Sequence, residues 1–239
     1  MSPEKQRELP KRFYKGVEAG AVDTGFGVLL DGRPVRTPGG ARLVAPTQAL
    51  AELLATEWAG QGEAIDLSAM PATRLAFSAI DRVSIKHAEV AAEMRRYAGA
   101  DMLCYFADGP GTLVERQLQR WGPLLDWARD ELGLEFHRAV GIIHREQPPE
   151  TVAAVESLAL AADDFALAGL AMAAGLYGST VLGLALYRGR LSGVDAFELS
   201  RLDEEFQEEK WGVDAEALAR RGVLTADAVM LDAWFQALR

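Results

Sequence analysis

Residues 165–187 form an uncharged stretch of 23 residues, and this stretch restricts the folds that the chain can adopt. It is long enough to cross a bilayer as one helix. Its composition argues against that use, because it contains four glycines, is rich in alanine rather than leucine or isoleucine, and directly follows Asp163 and Asp164. A break near residues 175–178 would divide it into two helices that pack closely through small side chains. The sequence therefore predicts a buried helical hairpin and no membrane insertion.

The composition is that of a globular chain: 239 residues are 49% hydrophobic and 25% charged. The single cysteine, Cys104, excludes an internal disulfide framework, and the three histidines are too far apart in sequence to suggest a metal cage. No metal and no cofactor are predicted. The polar residues 1–12 lack the apolar segment of a secretory signal, so we expect the protein to stay inside the cell.

The net charge of −10 is unevenly distributed, since residues 1–46 hold eight Lys/Arg against five Asp/Glu and the rest of the chain is acidic. A nucleic-acid-binding module normally presents a positive face. Nucleic acid is therefore a poor candidate partner.

Short β-like runs fill the first part of the chain. Asp31 and Gly32 lie between two of them, and such a pair is a strong hairpin signal. Pro34 should then occupy an edge position, because it cannot donate a backbone hydrogen bond. The predicted strands, which form a small antiparallel meander, are residues 12–17, 25–30, 33–38 and 42–44.

Helical periodicity begins at Thr47, a plausible N-cap, and dominates the rest of the chain. A small antiparallel sheet with covering helices, followed by an all-α helical domain, gives an α+β fold class. We divide the chain into an N-terminal α+β domain, residues 1–90, and a C-terminal helical domain, residues 91–239. The predicted helix signals after Thr47 are a start at Pro71, a cap at Ser84, a start at Thr112, a restart at Pro123, a stop at Gly133, a helix over residues 193–211 and a cap at Thr225.

Known catalytic motifs are missing. The sequence contains no phosphate-binding Gly-x-x-x-x-Gly-Lys-Ser/Thr loop, and Leu30 stands where a dinucleotide fingerprint starting at Gly25 needs its third glycine. Cys104 lies between apolar neighbours, which favours a buried, unreactive thiol. We therefore predict no catalytic residue and no enzyme. The alternative is an enzyme or small-ligand-binding protein with a pocket between the two domains.

Five carboxylates crowd one helical stretch, and like charges four residues apart oppose helix formation. They could be a solvated face neutralised by Arg201 and Lys210, or an acidic patch for a partner's Arg or Lys; general acid–base catalysis is the weakest interpretation. The five are Asp203, Glu204, Glu205, Glu208 and Glu209.

Tryptophans are the other candidates for contact with a partner. Trp121 and Trp127 are best explained as core residues. Trp58 and Trp211, which are flanked by charged residues, could be either core residues or interface anchors.

Taken in order, several segments resemble the assembly chaperones of the F-type ATP synthase catalytic head, the family that binds the free alpha subunit before it meets beta. The likeness spans about residues 12–213, and the segment after Trp211 matches least. The matching segments are residues 12–15, 30–38, 57–61, 70–76 and 101–105, the set Gln117, Trp121, Pro123 and Trp127, and residues 200–207 with 210–212.

This resemblance implies a two-domain, non-catalytic chaperone, expected to be a monomer. Its client would be the unassembled alpha subunit. Mitochondrial members carry a targeting presequence and this chain does not, so the expected location is a bacterial cytoplasm, with the mitochondrial matrix for eukaryotic relatives. We predict an aromatic anchor near Trp58 and an acidic patch at residues 203–205. The predicted partner-binding residues are Glu57, Trp58, Arg201, Asp203, Glu204, Glu205, Gln207 and Trp211.

Overall fold

The computed structural model describes residues 9–239, so most of the polar opening segment on which the signal-peptide prediction was based lies outside the described residues. The chain forms a small sheet and then eleven helices within these residues. The elements are β1 (Val17–Val22), β2 (Gly25–Leu30), β3 (Arg33–Pro34), α1 (Gln48–Ala59), α2 (Pro71–Ser78), α3 (His87–Gly99), β4 (Tyr105–Phe106), α4 (Gly111–Arg120), α5 (Gly122–Leu132), β5 (Ala139–Val140), α6 (Pro149–Ala161), α7 (Asp164–Tyr177), α8 (Thr180–Tyr187), α9 (Gly193–Ser200), α10 (Leu202–Trp211) and α11 (Ala215–Leu238).

The N-terminal sheet is antiparallel with strand order β1-β2-β3. Asp31 and Gly32 have φ angles of 50° and 77°, which suits the tight turn that matches strand twist, so the predicted hairpin is confirmed. Pro34 lies on the edge strand, as predicted.

The first strand begins at Val17 rather than at residue 12. The Asp31 carboxylate accepts hydrogen bonds from the backbone N–H groups of Lys15 and Gly16, which hold this segment in a loop. Lys11 and Arg12 pair instead with the chain at residues 63–64. Residues 42–45 make only isolated bridges, although the Leu43 N–H still donates to the Val35 carbonyl.

Thr47 and Pro71 begin helices as predicted. The Thr47 side chain accepts from the Leu50 N–H, and Pro71 is the first residue of α2. The prediction that Ser84 caps a helix is wrong. Helix α2 continues into a π-helical turn over residues 79–83, and α3 begins only at His87. The Ser84 hydroxyl donates to the Ile80 carbonyl four residues back and so cannot cap the following helix.

The uncharged stretch forms two helices, as predicted. Asp163 caps α7, Gly178 breaks the stretch with a φ of 63°, and Ser179 caps α8. A side chain on Gly169 would meet the Phe235 ring at 2.7 Å, so small residues here allow close helix packing. Within residues 9–239, no helix has both the length and the apolar character that crossing a membrane requires.

The C-terminal helices differ from expectation at two places. The helix predicted over residues 193–211 is interrupted at Arg201, which separates α9 from α10. The last helix is capped by Asp214 rather than by Thr225 and begins at Ala215. The Thr225 hydroxyl donates to the Arg221 carbonyl inside this continuous α11 of 24 residues. Because α11 packs on both α1 and α9, its burial overrides the local signal at Thr225.

The α+β fold class is confirmed, with the sheet and its helices preceding a mainly helical remainder that contains the short parallel pair β4–β5. One cluster of buried apolar side chains runs from Tyr14 to Phe235. The Thr47 hydroxyl also donates to the carbonyl of Ala237 near the end of α11. The division into residues 1–90 and 91–239 stays a prediction.

Candidate protein-interaction surface

The acidic helix α10 is fixed to the body of the protein by its apolar side. Leu202 and Phe206 are buried, so the remaining faces of α10 point away from the core. Gly212 ends the helix, and Asp214 begins α11 by accepting from the Ala217 N–H at 2.7 Å. The turn between α10 and α11 is therefore fixed by the end of one helix and the cap of the next.

Three carboxylates of α10 are neutralised by arginines. Glu205 lies 2.8 Å from Arg221, and Glu208 lies 2.6 Å from Arg201 and 3.4 Å from Arg221. Arg116 of α4 binds Glu209 through two hydrogen bonds of 2.6 and 2.9 Å. These ion pairs offset the like-charge repulsion that the sequence predicts along the helix.

Arg116 and Arg221 were missed by sequence reasoning, which considered only the nearby Arg201 and Lys210 as counter-charges. Lys210 instead lies over the Phe206 ring, with its ammonium nitrogen 4.1 Å from the ring centroid. Because Arg116 and Glu209 are 93 residues apart, no sequence pattern near Glu209 could indicate this ion pair.

Asp203 is turned toward α4 and is partly buried. Its carboxylate accepts a 2.7 Å hydrogen bond from the Gln117 amide, whose own oxygen accepts from the Ala107 N–H at 2.8 Å. Burial raises the pKa of Asp203 above its ordinary value, and the Gln117 hydrogen bond opposes that change. Asp203 therefore positions α10 against α4.

The raised pKa of Asp203 gives a testable pH dependence. The folded state binds the Asp203 proton more tightly than the unfolded state does. Protonated Asp203 therefore contributes its full stability below the ordinary pKa of 3.8, and this contribution is lost as the pH rises through the raised pKa. Asp203→Asn keeps an acceptor for Gln117 but cannot ionise. Urea unfolding from about pH 4 to about pH 7 should show a decline in the free energy of unfolding of the unmodified protein that the variant lacks. At about pH 7 the variant should be the more stable by less than about 1 kcal/mol, because the carboxyl is half-exposed.

Asp203→Ala is the matched control for this pH series. It removes the acceptor, leaves the buried Gln117 amide unpaired, and should destabilise the fold by about 1–2 kcal/mol at every pH. A decline with pH in Asp203→Asn that equals that of the unmodified protein would assign the dependence to another group.

Glu204, Gln207 and Trp211 form the exposed side of α10, and we call these three residues the α10 outer face. Their spacing of three and seven residues places them on one side of the helix. Glu204 has no ion pair or hydrogen bond among the described residues, and Trp211 is 76% exposed. The α10 outer face thus combines an exposed aromatic ring with an unpaired carboxylate.

Glu57 and Trp58 belong to α1 and have roles inside the fold. The Glu57 carboxylate accepts from the N–H groups of Ala72 and Thr73, at 2.8 and 2.7 Å, and so caps α2. Trp58 is only 6% exposed and packs against Tyr14, which places it in the core, one of the two alternatives left open by the sequence. Within residues 9–239, no hydrogen bond joins α1 to α10. Contact of Glu57 or Trp58 with a partner stays a prediction.

An apolar loop next to β5 was also missed. Val140 and Ile143 are largely exposed and Ile142 is 99% exposed. Gln147 fixes the base of the loop by accepting from the His137 N–H at 2.7 Å and donating to its carbonyl at 3.0 Å. Contiguous exposed aliphatic side chains are typical of contact surfaces.

A groove of about 480 Å³ lies between α2, α3 and α7, where the alternative interpretation would place a small ligand. Its lining is largely apolar and has three charged residues. Arg82 and Glu93 lie 3.5 Å apart and pair with each other, and the third, Arg74, is exposed. Among the described residues, the lining of the groove contains no histidine or cysteine. Cys104 is fully buried elsewhere, and burial raises the pKa of its thiol. Among residues 9–239, no cluster of three or more His, Cys, Asp or Glu side chains could hold a metal ion.

The chain is similar to proteins of one family. A family model described as "ATP12 chaperone protein" matches residues 11–129. The chain is 24% identical over 214 residues to "Protein atp12, mitochondrial" of Schizosaccharomyces pombe, which covers 84% of this chain and 74% of that protein.

Solved structures extend the likeness to almost the whole chain. The crystal structure of Atp12 from Paracoccus denitrificans is 41% identical with a TM-score of 0.90, and the match covers 96% of this chain and 99% of that one. The Atu1473 protein from Agrobacterium tumefaciens is 42% identical with a TM-score of 0.91, and the match covers 97% of this chain and 87% of that one.

Proposed function

Because the chain belongs to the ATP12 chaperone family, whose members act in ATP synthase assembly, we propose that it binds the unassembled alpha subunit and prevents its aggregation until it pairs with beta. An unassembled subunit exposes apolar surface that its neighbour will later cover, and such surface aggregates unless it is occluded. Binding of this kind requires no chemical step. We place it in the bacterial cytoplasm.

The exposure of Trp211 is the observation that best supports a binding role. A tryptophan at the end of a helix that is held by ion pairs is a rigid aromatic anchor, and such residues dominate the energetics of many interfaces. Glu204, two helical turns before Trp211, adds a charge that can favour a client with basic residues at the edge of the contact. The α10 outer face is therefore the proposed contact with alpha.

A small contact surface suits a chaperone that must release its client. One aromatic anchor with a peripheral carboxylate gives specificity, while most of the client's future interface remains free for beta to approach. Beta can then displace the chaperone without nucleotide hydrolysis by this chain.

The proposal is tested by measuring the dissociation constant for freshly produced alpha subunit from the same cell, together with the fraction of alpha that stays soluble on co-expression. Trp211→Ala should raise the dissociation constant about thirtyfold, since it removes about 2 kcal/mol of anchor energy. Glu204→Lys should raise it about three- to tenfold, mainly through slower association.

Glu131→Lys is the matched control for charge, because Glu131 is exposed on α5 and has no ion pair among the described residues. It should leave the affinity unchanged. Capture of alpha with the same affinity by Trp211→Ala and the unmodified protein would reject the α10 outer face. Failure of the unmodified protein to bind alpha at all would reject the proposed client.

A further inference from the structure

A second groove lies on the N-terminal sheet, remote in sequence from α10. It has a volume of about 580 Å³, and its walls come from the loop before β1, the β2–β3 hairpin and the end of α1. Its lining residues are Phe13, Tyr14, Leu30, Asp31, Arg33, Pro34, Val35, Arg36 and Trp58.

A row of aromatic rings leads from the rim of this groove into the core. Phe13 is 75% exposed, and its ring meets Tyr14 edge-on at a centroid distance of 5.4 Å. Tyr14 in turn packs on Trp58 at 5.9 Å and donates its hydroxyl to the Trp58 carbonyl at 2.8 Å. Phe13 is therefore held at the surface by a fixed neighbour, in a position where an apolar side chain can pack on it.

The charge on the groove is positive. Arg33 makes no ion pair within residues 9–239, and Arg36 donates only to the Gly40 carbonyl, at 2.7 Å. Among the described residues that line the groove, Asp31 is the one carboxylate, and its oxygens already accept from the backbone N–H groups of Gly16 and Lys15, which lower its pKa. The two guanidinium groups are thus available to a carboxylate of an incoming molecule.

Trp58 also lines the groove. Its indole N–H is buried and has no acceptor among the described residues. Because this N–H is closed off from the surface, it reports on packing around Trp58 and is not itself a contact for an incoming peptide. Apolar packing at Phe13 and the positive charge of Arg33 and Arg36 favour the same kind of ligand.

We propose that this groove binds an extended peptide segment carrying an apolar side chain next to one or more carboxylates. The apolar side chain packs on Phe13 and Pro34, and the carboxylates pair with Arg33 and Arg36. That such a segment belongs to the alpha subunit rests on the proposed function. The chaperone would then hold its client through two surfaces of opposite charge, since the α10 outer face is acidic, and this arrangement fixes the client's orientation.

Peptide recognition can be measured without the alpha subunit. The probe is the fluorescein-labelled octapeptide Gly-Ser-Glu-Leu-Pro-Glu-Leu-Ser, and its matched control has lysine in place of both glutamates. Fluorescence anisotropy should show at least about tenfold tighter binding of the acidic peptide. In a ¹H–¹⁵N spectrum the acidic peptide should also shift the indole signal of Trp58, identified by its loss in Trp58→Phe.

Two groove variants should each bind the acidic peptide at least about tenfold more weakly than the unmodified protein does. Phe13→Ala removes the apolar anchor, and the double variant Arg33→Glu with Arg36→Glu reverses the charge of the groove. Ile85→Ala is the control for Phe13, because Ile85 is 76% exposed but lies outside the groove. Arg120→Glu, an exposed arginine of α4, is the control for charge reversal. Both controls should bind like the unmodified protein.

Equal binding of the two peptides, or full binding by the groove variants, would overturn the inference. Binding that appears only after residues 1–8 are removed would assign the groove to the chain's own N-terminus and would also overturn it. Normal capture of alpha by the groove variants leaves the proposed client standing and rejects only the second contact. Peptide binding without capture of alpha rejects the client and retains the groove.

Discussion

Replacing Gly193 with alanine is expected to lower the free energy of unfolding by at least about 3 kcal/mol. A Cβ atom at Gly193 would lie 1.9 Å from the Ala228 carbonyl oxygen and 2.8 Å from its carbon, which are backbone atoms of α11. Because these atoms belong to the backbone and not to the end of a flexible side chain, α9 and α11 would have to separate. That separation also disturbs the 3.0 Å hydrogen bond from the Gly193 N–H to Asp232.

Gly222→Ala is the matched control for Gly193→Ala. Gly222 is also a helical glycine, in the interior of α11, but a Cβ atom there would have no neighbour within 4 Å. Alanine should stabilise the helix by about 0.5–1 kcal/mol. Urea denaturation of the two variants should therefore move in opposite directions. A Gly193→Ala protein as stable as the unmodified one would mean that the two helices do not approach so closely.

Loss of the Asp101 carboxylate is the second large effect, with Asp101→Ala expected to cost about 3–5 kcal/mol. Asp101 is completely buried and accepts hydrogen bonds from the Leu103 N–H at 3.1 Å, the Thr180 hydroxyl at 2.9 Å and the Val181 N–H at 3.0 Å. It thereby joins the segment after α3 to the first turn of α8. Alanine would leave these buried donors unpaired and would add a cavity.

Asp66→Ala separates the effect of burial from that of capping. Asp101 caps the 3-10 turn Met102–Cys104, and Asp66 caps the 3-10 turn Leu67–Ala69 in the same way, by accepting from the Ser68 N–H at 2.9 Å. Asp66, however, is partly exposed. Water can replace the lost acceptor there, so the cost should be about 1 kcal/mol or less. Thermal and urea unfolding measure both variants. Equal losses for the two aspartates would show that burial of Asp101 adds nothing to its capping role.

Local chemistry explains which parts of the fold the sequence could predict. The Asp31–Gly32 turn, the start at Pro71, the stop at Gly133 and the break at Gly178 each depend on the backbone preferences of one or two residues. Hydroxyl residues were less informative. Ser84 and Thr225 can either cap a helix or donate to a carbonyl four residues back, and packing of distant elements decides between these roles.

The interaction surface was predictable in composition but not in geometry. Sequence patterns indicated a carboxylate-rich helix ending at Trp211, and the structure places Glu204 and Trp211 on its exposed side. The patterns could not show that Glu205, Glu208 and Glu209 are bound by arginines, because Arg116 lies on another helix. Nor could they distinguish the buried Trp58 from the exposed Trp211, since both are flanked by charged residues.

The contact between α1 and the end of α11 has a consequence for how the protein is made. Thr47 and Ala237 are 190 positions apart, yet the hydroxyl of one binds the carbonyl of the other, and Arg239 binds the Leu186 carbonyl at 3.2 Å. A ribosome that has translated α1 has not yet produced α11, the helix that packs on it. The packing around α1 is therefore completed only when residues 190 positions further along the chain have been synthesised.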